Sequence, residues 1–189
     1  MQSRIFDEVM VSTDDDEIAT IARQYGAAVP FMRDEKTSDD YATTADVLKE
    51  VLGEYIAHDQ AFDVLCCLYP TAPFVTAEKL QKGFSLLEDK ASCVLPVVPF
   101  SFPPQRAMEI HDGQLKYVDS SSAGCRSQDL STLYHDAGQF AFYKLDAGYL
   151  PENFVFKGMI VPETEVQDID NPSDWALAEM KYRMLKGEY

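Results

Sequence analysis

Short apolar segments alternate with amphipathic helical segments along the chain, and this alternation is the feature that most limits the possible fold. Strands are predicted at residues 6–12, 29–32, 64–69, 93–98, 139–143 and 154–161, and helices at residues 17–25, 45–57, 77–87 and from Asn171 onward. Such alternation favours a mostly parallel sheet with helices on both faces. We therefore predict the α/β class, with a Rossmann-like sheet in a single domain of residues 1–189.

The charge balance limits the partners of this chain. Its 189 residues include 32 acidic and 16 basic side chains, which gives a formal net charge of -16. That charge repels nucleic-acid backbones and anionic membranes, so we exclude nucleic acid and membrane surfaces as partners. An anionic substrate needs local positive charge to overcome this background. Cys66 and Cys67 lie in an apolar run without C-x-x-C spacing, and this usage predicts a cytoplasmic protein.

Asp168 and Asp170 form a D-x-D pair just ahead of the last predicted helix. In open α/β sheets, ligands bind at the carboxyl ends of the strands. Residues two apart on an extended segment point to the same side, so both carboxylates can share one divalent cation. Mg²⁺ prefers such ligands and completes its shell with water and substrate phosphates. The alternative is a solvated acidic turn that caps the final helix.

Two further polar segments are candidates for substrate binding. Arg126 has a guanidinium suited to a carboxylate or phosphate, and Gln128 and Gln139 can donate hydrogen bonds to sugar hydroxyls or amides. Arg33 precedes a loop of residues 37–44 that leads into a helix N-terminus, a favourable place for a phosphate. The alternatives are an Arg126 paired with a nearby acid and a loop that only caps its helix.

Taken together and in this order, these segments resemble the cytidylyltransferases that activate sialic acids, the CMP-sialic acid synthetase or acylneuraminate cytidylyltransferase family. The resemblance covers essentially the whole chain and rests on Phe6-Asp-Glu-Val-Met-Val-Ser-Thr-Asp-Asp15, Arg33 with Ala42-Thr-Thr44, Tyr69-Pro-Thr-Ala-Pro73, Arg126-Ser-Gln-Asp129, Tyr134-His-Asp-Ala-Gly138 and Gln167-Asp-Ile-Asp-Asn-Pro172. The forms Tyr-Pro-Thr-Ala-Pro-Phe and His-Asp-Ala-Gly-Gln-Phe are most similar to the pseudaminic acid branch. The resemblance implies a sheet of the nucleotide-diphospho-sugar transferase type.

The resemblance also implies a reaction and a set of site residues. CTP and a nonulosonic acid, pseudaminic or sialic, would give the CMP-sugar and pyrophosphate for cell-surface glycan or flagellin glycosylation. Asp168 and Asp170 would hold Mg²⁺ or Mn²⁺ and form the catalytic set with Arg126. Nucleotide binding is assigned to Arg33, Ala42, Thr43, Thr44, Tyr69 and Thr71, and binding of the sugar acid to Arg126, Gln128, His135 and Gln139.

The segment 106–118 reads as a hairpin, because Asp112-Gly113 is a turn signal between two apolar runs. The resemblance implies that this hairpin helps to form a homodimer. The family begins with a strand, a glycine-rich basic loop and a helix, and no part of this sequence resembles that loop, so we expect a segment of roughly 30–40 residues to be absent. Two other functions remain open: a catalytically inactive, truncated homologue that acts as a binding or structural module, and a D-x-D glycosyltransferase.

Overall fold

The structure, a computed structural model, describes residues 2–87 and 90–188. Its elements follow in the order α1 (Asp16–Gln24), α2 (Thr44–Ala57), β1 (Val64–Leu68), α3 (Ala77–Ser85), β2 (Cys93–Pro99), β3 (Met108–His111), β4 (Gln114–Tyr117), β5 (Tyr134–Asp136), β6 (Phe140–Lys144), β7 (Phe156–Ile160) and α4 (Pro172–Lys186). Short 3₁₀ turns lie between several of them. In these described residues no helix combines the length and apolar character needed to cross a bilayer.

The chain divides into two compact units. The first unit comprises the described residues of Met1–Leu68, Val75–Val94 and Ala141–Lys157, and the second comprises those of Tyr69–Phe74, Leu95–Phe140 and Gly158–Tyr189. In the first unit, the core contains the apolar face of α2 and Phe142, whose ring stacks on Phe6 at a centroid distance of 6.1 Å. In the second unit, Val98, Phe140 and Met159 are almost completely buried.

The five-stranded sheet has the order β1-β6-β2-β5, with β7 also paired to β2. Strand β2 runs antiparallel to both β5 and β6, so the prediction of a mostly parallel, Rossmann-like sheet is wrong. The physical reason lies in the connections. A parallel pair needs a long crossover, usually a helix, whereas no helix lies between β5, β6 and β7 in this part of the chain. The predicted alternation of strands and helices holds only as far as β2.

Two predicted strands near the N-terminus are also absent from the described elements. Residues 6–12 and 29–32 are not assigned as strands, and only an isolated parallel bridge joins Met10 to Ala28. Backbone hydrogen bonds from Val11 to Ala28 and from Ala28 to Val9 accompany that bridge. The extended conformation expected from the apolar pattern is therefore present, but the ladder is too short to count as a strand.

A bulge separates β5 from β6 where both pair with β2. Val94 of β2 pairs with Phe142 and Val97 pairs with Asp136, so the partner side carries extra residues between these pairs. The extra residues lie at 137–139, and Gly138 among them has a φ of +61°. Bulges bend a strand and redirect its side chains, often beside active sites.

The helix starts follow the sequence closely. Asp15 caps α1 by accepting hydrogen bonds from the backbone N–H groups of Glu17 and Ile18. Thr43 caps α2 and Asn171 caps α4, each in a reciprocal capping box with an aspartate three residues later. These caps occur because a helix N-terminus leaves backbone donors without partners, which short polar side chains can satisfy. The last helix, predicted from Asn171 onward, begins there with Asn171 as its N-cap.

Candidate active site

The second unit contains a cleft of about 560 Å³ where the bulge meets the segment that precedes α4. Four residues predicted from the sequence line it: Tyr69, Thr71, His135 and Asp168. Tyr69 follows β1, and its backbone N–H donates to the carbonyl oxygen of Gln139 in the bulge at 3.0 Å. The fold thus brings residues from three separate motifs to one concave surface.

Asp168 packs closely against the bulge. A Cβ built at Gly138 would lie 3.3 Å from Oδ2 of Asp168, tighter than an ordinary van der Waals contact. Together with the φ of +61°, this close approach explains why the position carries glycine. The Asp168 carboxylate remains exposed to solvent at the cleft. It is therefore open to a ligand.

Two side chains hold the backbone segment that leads to Asp168. Gln139 is almost fully buried, and its Nε2 donates to the carbonyl oxygen of Glu165 at 2.7 Å. Its Oε1 has no hydrogen-bond partner among the described residues. Lys181 of α4 donates from Nζ to the carbonyl oxygen of Val166 at 2.6 Å. Gln139 and Lys181 therefore position the segment, and the sugar-binding role of Gln139 stays a prediction.

His135 lies on β5 with its ring beside Phe100 at a centroid distance of 4.9 Å. Its Nδ1 lies 2.7 Å from the backbone carbonyl oxygen of Asp136, a contact that requires the hydrogen on Nδ1. In the neutral ring, Nε2 is then the acceptor. This ring lines the cleft and can accept a hydrogen bond there.

Asp170 and Asp168 line different cavities. Asp170 lines a second, shallower cavity of about 470 Å³ with Ile169 and Trp175, whereas Asp168 lines the cleft. Among the described residues, no group of three or more histidine, cysteine or acidic side chains is arranged to hold a metal ion. Mg²⁺ usually takes only one or two protein carboxylates and fills its shell with water and phosphate oxygens. The exposed Asp168 carboxylate fits that use.

Arg126 and Gln128 are exposed at a 3₁₀ turn and do not belong to the lining of the cleft. The Arg126 guanidinium forms a two-pronged ion pair with Asp129, with N–O distances of 2.7 and 3.0 Å. These hydrogen bonds raise the pKa of Arg126. The structure therefore shows Arg126 paired with a nearby acid, which is the alternative that the sequence left open.

The first unit contains the nucleotide-binding candidates Arg33, Ala42, Thr43 and Thr44. Arg33 donates from Nε to Oγ of Ser12 at 3.0 Å, and its backbone N–H donates to the carbonyl oxygen of Thr13. Thr43 is the N-cap of α2, and Thr44 is the first residue of the helix. Ala42 donates its backbone N–H to Oδ1 of Asp39 at 2.8 Å. The Thr43 hydroxyl and the Ala42 N–H are thus already engaged within the unit.

Sequence reasoning missed several charged residues of the cleft, namely Asp136, Glu163 and Lys181. Lys181 lies on a helix whose charged positions all look alike in the sequence, so no signal there distinguishes it. Asp136 follows His135 directly in the motif Tyr134-His-Asp-Ala-Gly138, and this position is a sequence signal that could have identified it. Contact with a cleft is a property of the folded chain alone.

A protein-family model described as "Cytidylyltransferase" matches residues 1–156, which is most of the chain. The chain belongs to the cytidylyltransferase family. This cytidylyltransferase is 35% identical over 190 residues to the pseudaminic acid cytidylyltransferase of Campylobacter jejuni, a match that covers 97% of this chain and 82% of that protein. It is also 29% identical to the CMP-N,N'-diacetyllegionaminic acid synthase of Legionella pneumophila, over 95% of this chain and 79% of that protein.

The fold of this cytidylyltransferase is similar to a solved structure of CMP:2-keto-3-deoxy-manno-octonic acid synthetase complexed with CTP. The TM-score is 0.60, and the match covers 95% of this chain and 81% of the other. Because only 16% of the residues are identical, this likeness concerns the fold alone. The resemblance inferred from the motifs is confirmed at the level of the family, and the chain is a cytidylyltransferase-family enzyme.

Proposed function

We propose that this enzyme transfers CMP from CTP to a nonulosonic acid of the pseudaminic acid type and releases pyrophosphate. The observation that carries the proposal is the shared cleft of Tyr69, Thr71, His135 and Asp168, which come from three separate motifs. The identity of 35% to a pseudaminic acid cytidylyltransferase supports the choice of sugar. The product would serve cell-surface glycan or flagellin glycosylation.

In the proposed reaction, the anomeric hydroxyl oxygen of the sugar acid attacks the α-phosphorus of CTP. A new oxygen–phosphorus bond forms while the bond to the bridging oxygen of the β-phosphate breaks, and pyrophosphate leaves with that electron pair. The hydroxyl proton passes to solvent or to a base in the cleft, for which the Nε2 acceptor of His135 is available. Such chemistry asks the protein mainly for positioning and for stabilisation of charge.

We propose Asp168 and Asp170 as the metal ligands, with Asp168 acting in the cleft. A bound Mg²⁺ or Mn²⁺ would offset phosphate charge and polarise the reacting oxygens. Asp168 would orient that ion against the bulge at Gly138, where its carboxylate is already held close to the backbone. Asp170, two residues further along the chain, lines the neighbouring cavity with Trp175 and would supply the second carboxylate.

The other site residues are grouped by the substrate that each would bind. We assign CTP to Arg33, the backbone of Ala42, Thr43 and Thr44, and the junction of nucleotide and sugar to Tyr69 and Thr71. We assign the sugar acid to Arg126, Gln128, His135 and Gln139. Arg126 would exchange Asp129 for the sugar carboxylate, because a guanidinium binds both groups in the same forked geometry.

The proposed compartment is the cytoplasm. Among the described residues, Cys66, Cys67, Cys93 and Cys125 form no disulfide, as is usual in a reducing compartment. Burial raises the pKa of Cys66 to about 12, so this thiol remains protonated and unreactive at neutral pH. The adjacent cysteines therefore act as small apolar residues of β1 and take no part in the proposed chemistry.

The direct test is turnover by the purified chain with CTP, Mg²⁺ and one sugar acid at a time. Pyrophosphate release and the mass of the CMP-sugar are measured with pseudaminic acid, N-acetylneuraminic acid and 2-keto-3-deoxy-octonic acid. We expect the highest kcat/KM with pseudaminic acid, and loss of turnover with EDTA that added Mg²⁺ restores. Absence of a CMP-sugar in every reaction would contradict the proposed activity, and a higher kcat/KM with another acid would contradict the proposed substrate.

A further inference from the structure

The cleft presents a charge problem for anionic substrates. Asp136, Glu163 and Asp168 line it, and each is an acidic residue. The sugar acid and CTP are both anions, and the whole chain carries a net charge of -16. Among the cleft-lining residues in the described part of the chain, Lys181 is the only lysine or arginine. Its position therefore decides where an anion can be held.

Lys181 is held rigidly for a lysine. Its Nζ donates to the carbonyl oxygen of Val166 at 2.6 Å and to Oε1 of Gln167 at 3.1 Å. Both partners are uncharged, so within the described part of the chain no ion pair cancels the positive charge of the ammonium. An ammonium has three N–H donors, and these two contacts leave one for a ligand. The half-buried setting also reduces screening by solvent.

Arg126 contrasts with Lys181 in each of these respects. Its guanidinium is paired with Asp129, its side chain is 72% exposed, and it does not line the cleft. Lys181 has a free donor, a fixed position and an uncancelled charge at the surface where Asp168 also lies. A fixed cation costs less conformational entropy on binding than one that must first be ordered.

We propose that Lys181 binds an anionic oxygen group of the substrate in this cleft, either the carboxylate of the sugar acid or a phosphate of CTP. This inference rests on the proposed function, because it names the residue that meets the charge of that reaction's substrates. Its contacts with Val166 and Gln167 hold the ammonium against the two residues that precede Asp168. Lys181 is thus a substrate-binding residue contributed by α4.

The first test compares steady-state kinetics of Lys181→Met, Lys181→Arg and Lys186→Met. Lys186 is the matched control, because it lies on the same helix outside the lining of the cleft and its loss changes the net charge equally. We expect Lys181→Met to raise KM about 10- to 100-fold for the one substrate whose anion it binds, as loss of a hydrogen bond to a charged group should. Lys181→Arg should recover part of that loss, and Lys186→Met should leave KM unchanged.

The two substrates distinguish the source of the anion. A raised KM for the sugar acid identifies the carboxylate, and a raised KM for CTP identifies a phosphate. The inference is overturned if Lys181→Met behaves like Lys186→Met, or if it lowers kcat while both KM values stay constant. The second result would show that Lys181 only positions the segment before Asp168.

The second test uses the wild-type protein and does not depend on a folded variant or on turnover. The protein is treated with a lysine-acetylating reagent in the presence of the sugar acid, CTP or inorganic pyrophosphate, and without any of them. The extent of acetylation at each lysine is then measured by peptide mass spectrometry. We expect at least one of these anions to protect Lys181 while Lys186 is acetylated equally in all samples. Unchanged acetylation of Lys181 in every sample overturns the inference, whereas an inactive wild type with protected Lys181 overturns only the proposed function.

Discussion

At the scale of single residues, the contact between Gly138 and Asp168 joins backbone conformation to site chemistry. Gly138 has a φ of +61°, and a Cβ there would approach Oδ2 of Asp168 to 3.3 Å. The left-handed conformation costs a non-glycine residue roughly 1–2 kcal/mol. A side chain at this position would therefore both strain the bulge and displace the Asp168 carboxylate.

Gly138→Ala should lower both stability and activity. We expect a loss of about 1 kcal/mol in the free energy of unfolding, measured with urea, and at least a tenfold fall in kcat/KM. Gly113→Ala is the matched control, because Gly113 has a φ of +77° but no atom within 4 Å of its Cβ position. It should lose similar stability and keep full activity. Equal activity losses in the two variants would show that the contact with Asp168 is unimportant.

Asp168→Asn should remove most of the activity and leave the fold intact. The amide has nearly the same shape but lacks the negative charge proposed to hold the metal ion, so we expect kcat to fall about 100-fold or more at saturating Mg²⁺. Asp112→Asn, in the hairpin turn, removes the same charge away from the cleft and should be silent. Near-normal turnover by Asp168→Asn would contradict its metal-binding role. Thermal unfolding checks that both variants are folded.

Sequence reasoning reached part of the cleft at this scale and missed the rest. Tyr69, Thr71 and Asp168 were predicted from motifs and do line one cleft. Lys181 was not predicted, because an isolated lysine on a helix has no distinguishing pattern. Gln139 was predicted as a sugar ligand, yet its amide is buried and bonded to Glu165, a contact between residues far apart in the chain.

At the scale of elements, helix starts depend on local chemistry and were predicted well. Thr43 and Asp46 satisfy each other's backbone donors at the start of α2, and Asn171 and Asp174 do the same at α4. Both boxes need only residues three positions apart. Local sequence is sufficient for such features, because no distant contact is involved.

Thr43→Ala should destabilise the protein by about 1 kcal/mol, since an N-cap hydroxyl is lost. Thr43→Ser keeps that hydroxyl and is the matched control. Hydrogen bonds from Thr43 hold the pKa of Asp46 below its ordinary value. The ionised Asp46 carboxylate therefore stabilises the folded state at neutral pH, and this stabilisation is lost as the pH falls through that lowered pKa. We therefore expect urea unfolding to show a smaller difference between Thr43→Ala and wild type at pH 3 than at pH 7. An equal difference at both values would contradict the role of the ionised Asp46.

Strand direction depends on more than local pattern. The apolar runs at β1, β2 and β6 were recognised, but their periodicity is the same in parallel and antiparallel pairs. The connections between β2 and β7 contain no α-helix in the described chain, and β2 pairs antiparallel with β5 and β6. The parallel sheet predicted from the first half of the chain therefore did not extend to the second half.

At the scale of the whole molecule, the hairpin β3–β4 exposes an apolar face to solvent. Register pairs Met108 with Tyr117 and Ile110 with Leu115, so these side chains share one face. Ile110 is 70% and Leu115 is 59% exposed. We propose this face as the contact of a homodimer, as the resemblance implies.

Ile110→Glu should convert the proposed dimer to a monomer. A charge on the apolar face loses burial energy and leaves a carboxylate without a partner. Gln114→Glu adds the same charge to the opposite face of the hairpin, and it should leave the dimer intact. Size-exclusion chromatography with light scattering distinguishes 21.3 kDa from twice that mass. A monomeric wild type, or equal behaviour of both variants, would contradict the dimer contact.

The amino-acid sequence by itself determined the family, the helix caps, the Asp112-Gly113 hairpin and several residues of the cleft. These features depend on ordered motifs and on contacts a few residues apart, which a linear pattern records directly. Only the tertiary structure decided strand direction, which cavities Asp168 and Asp170 line, and the place of Lys181 in a cleft that also contains acidic residues. Those features depend on which distant segments pack together, and this is settled by the free energy of the whole fold.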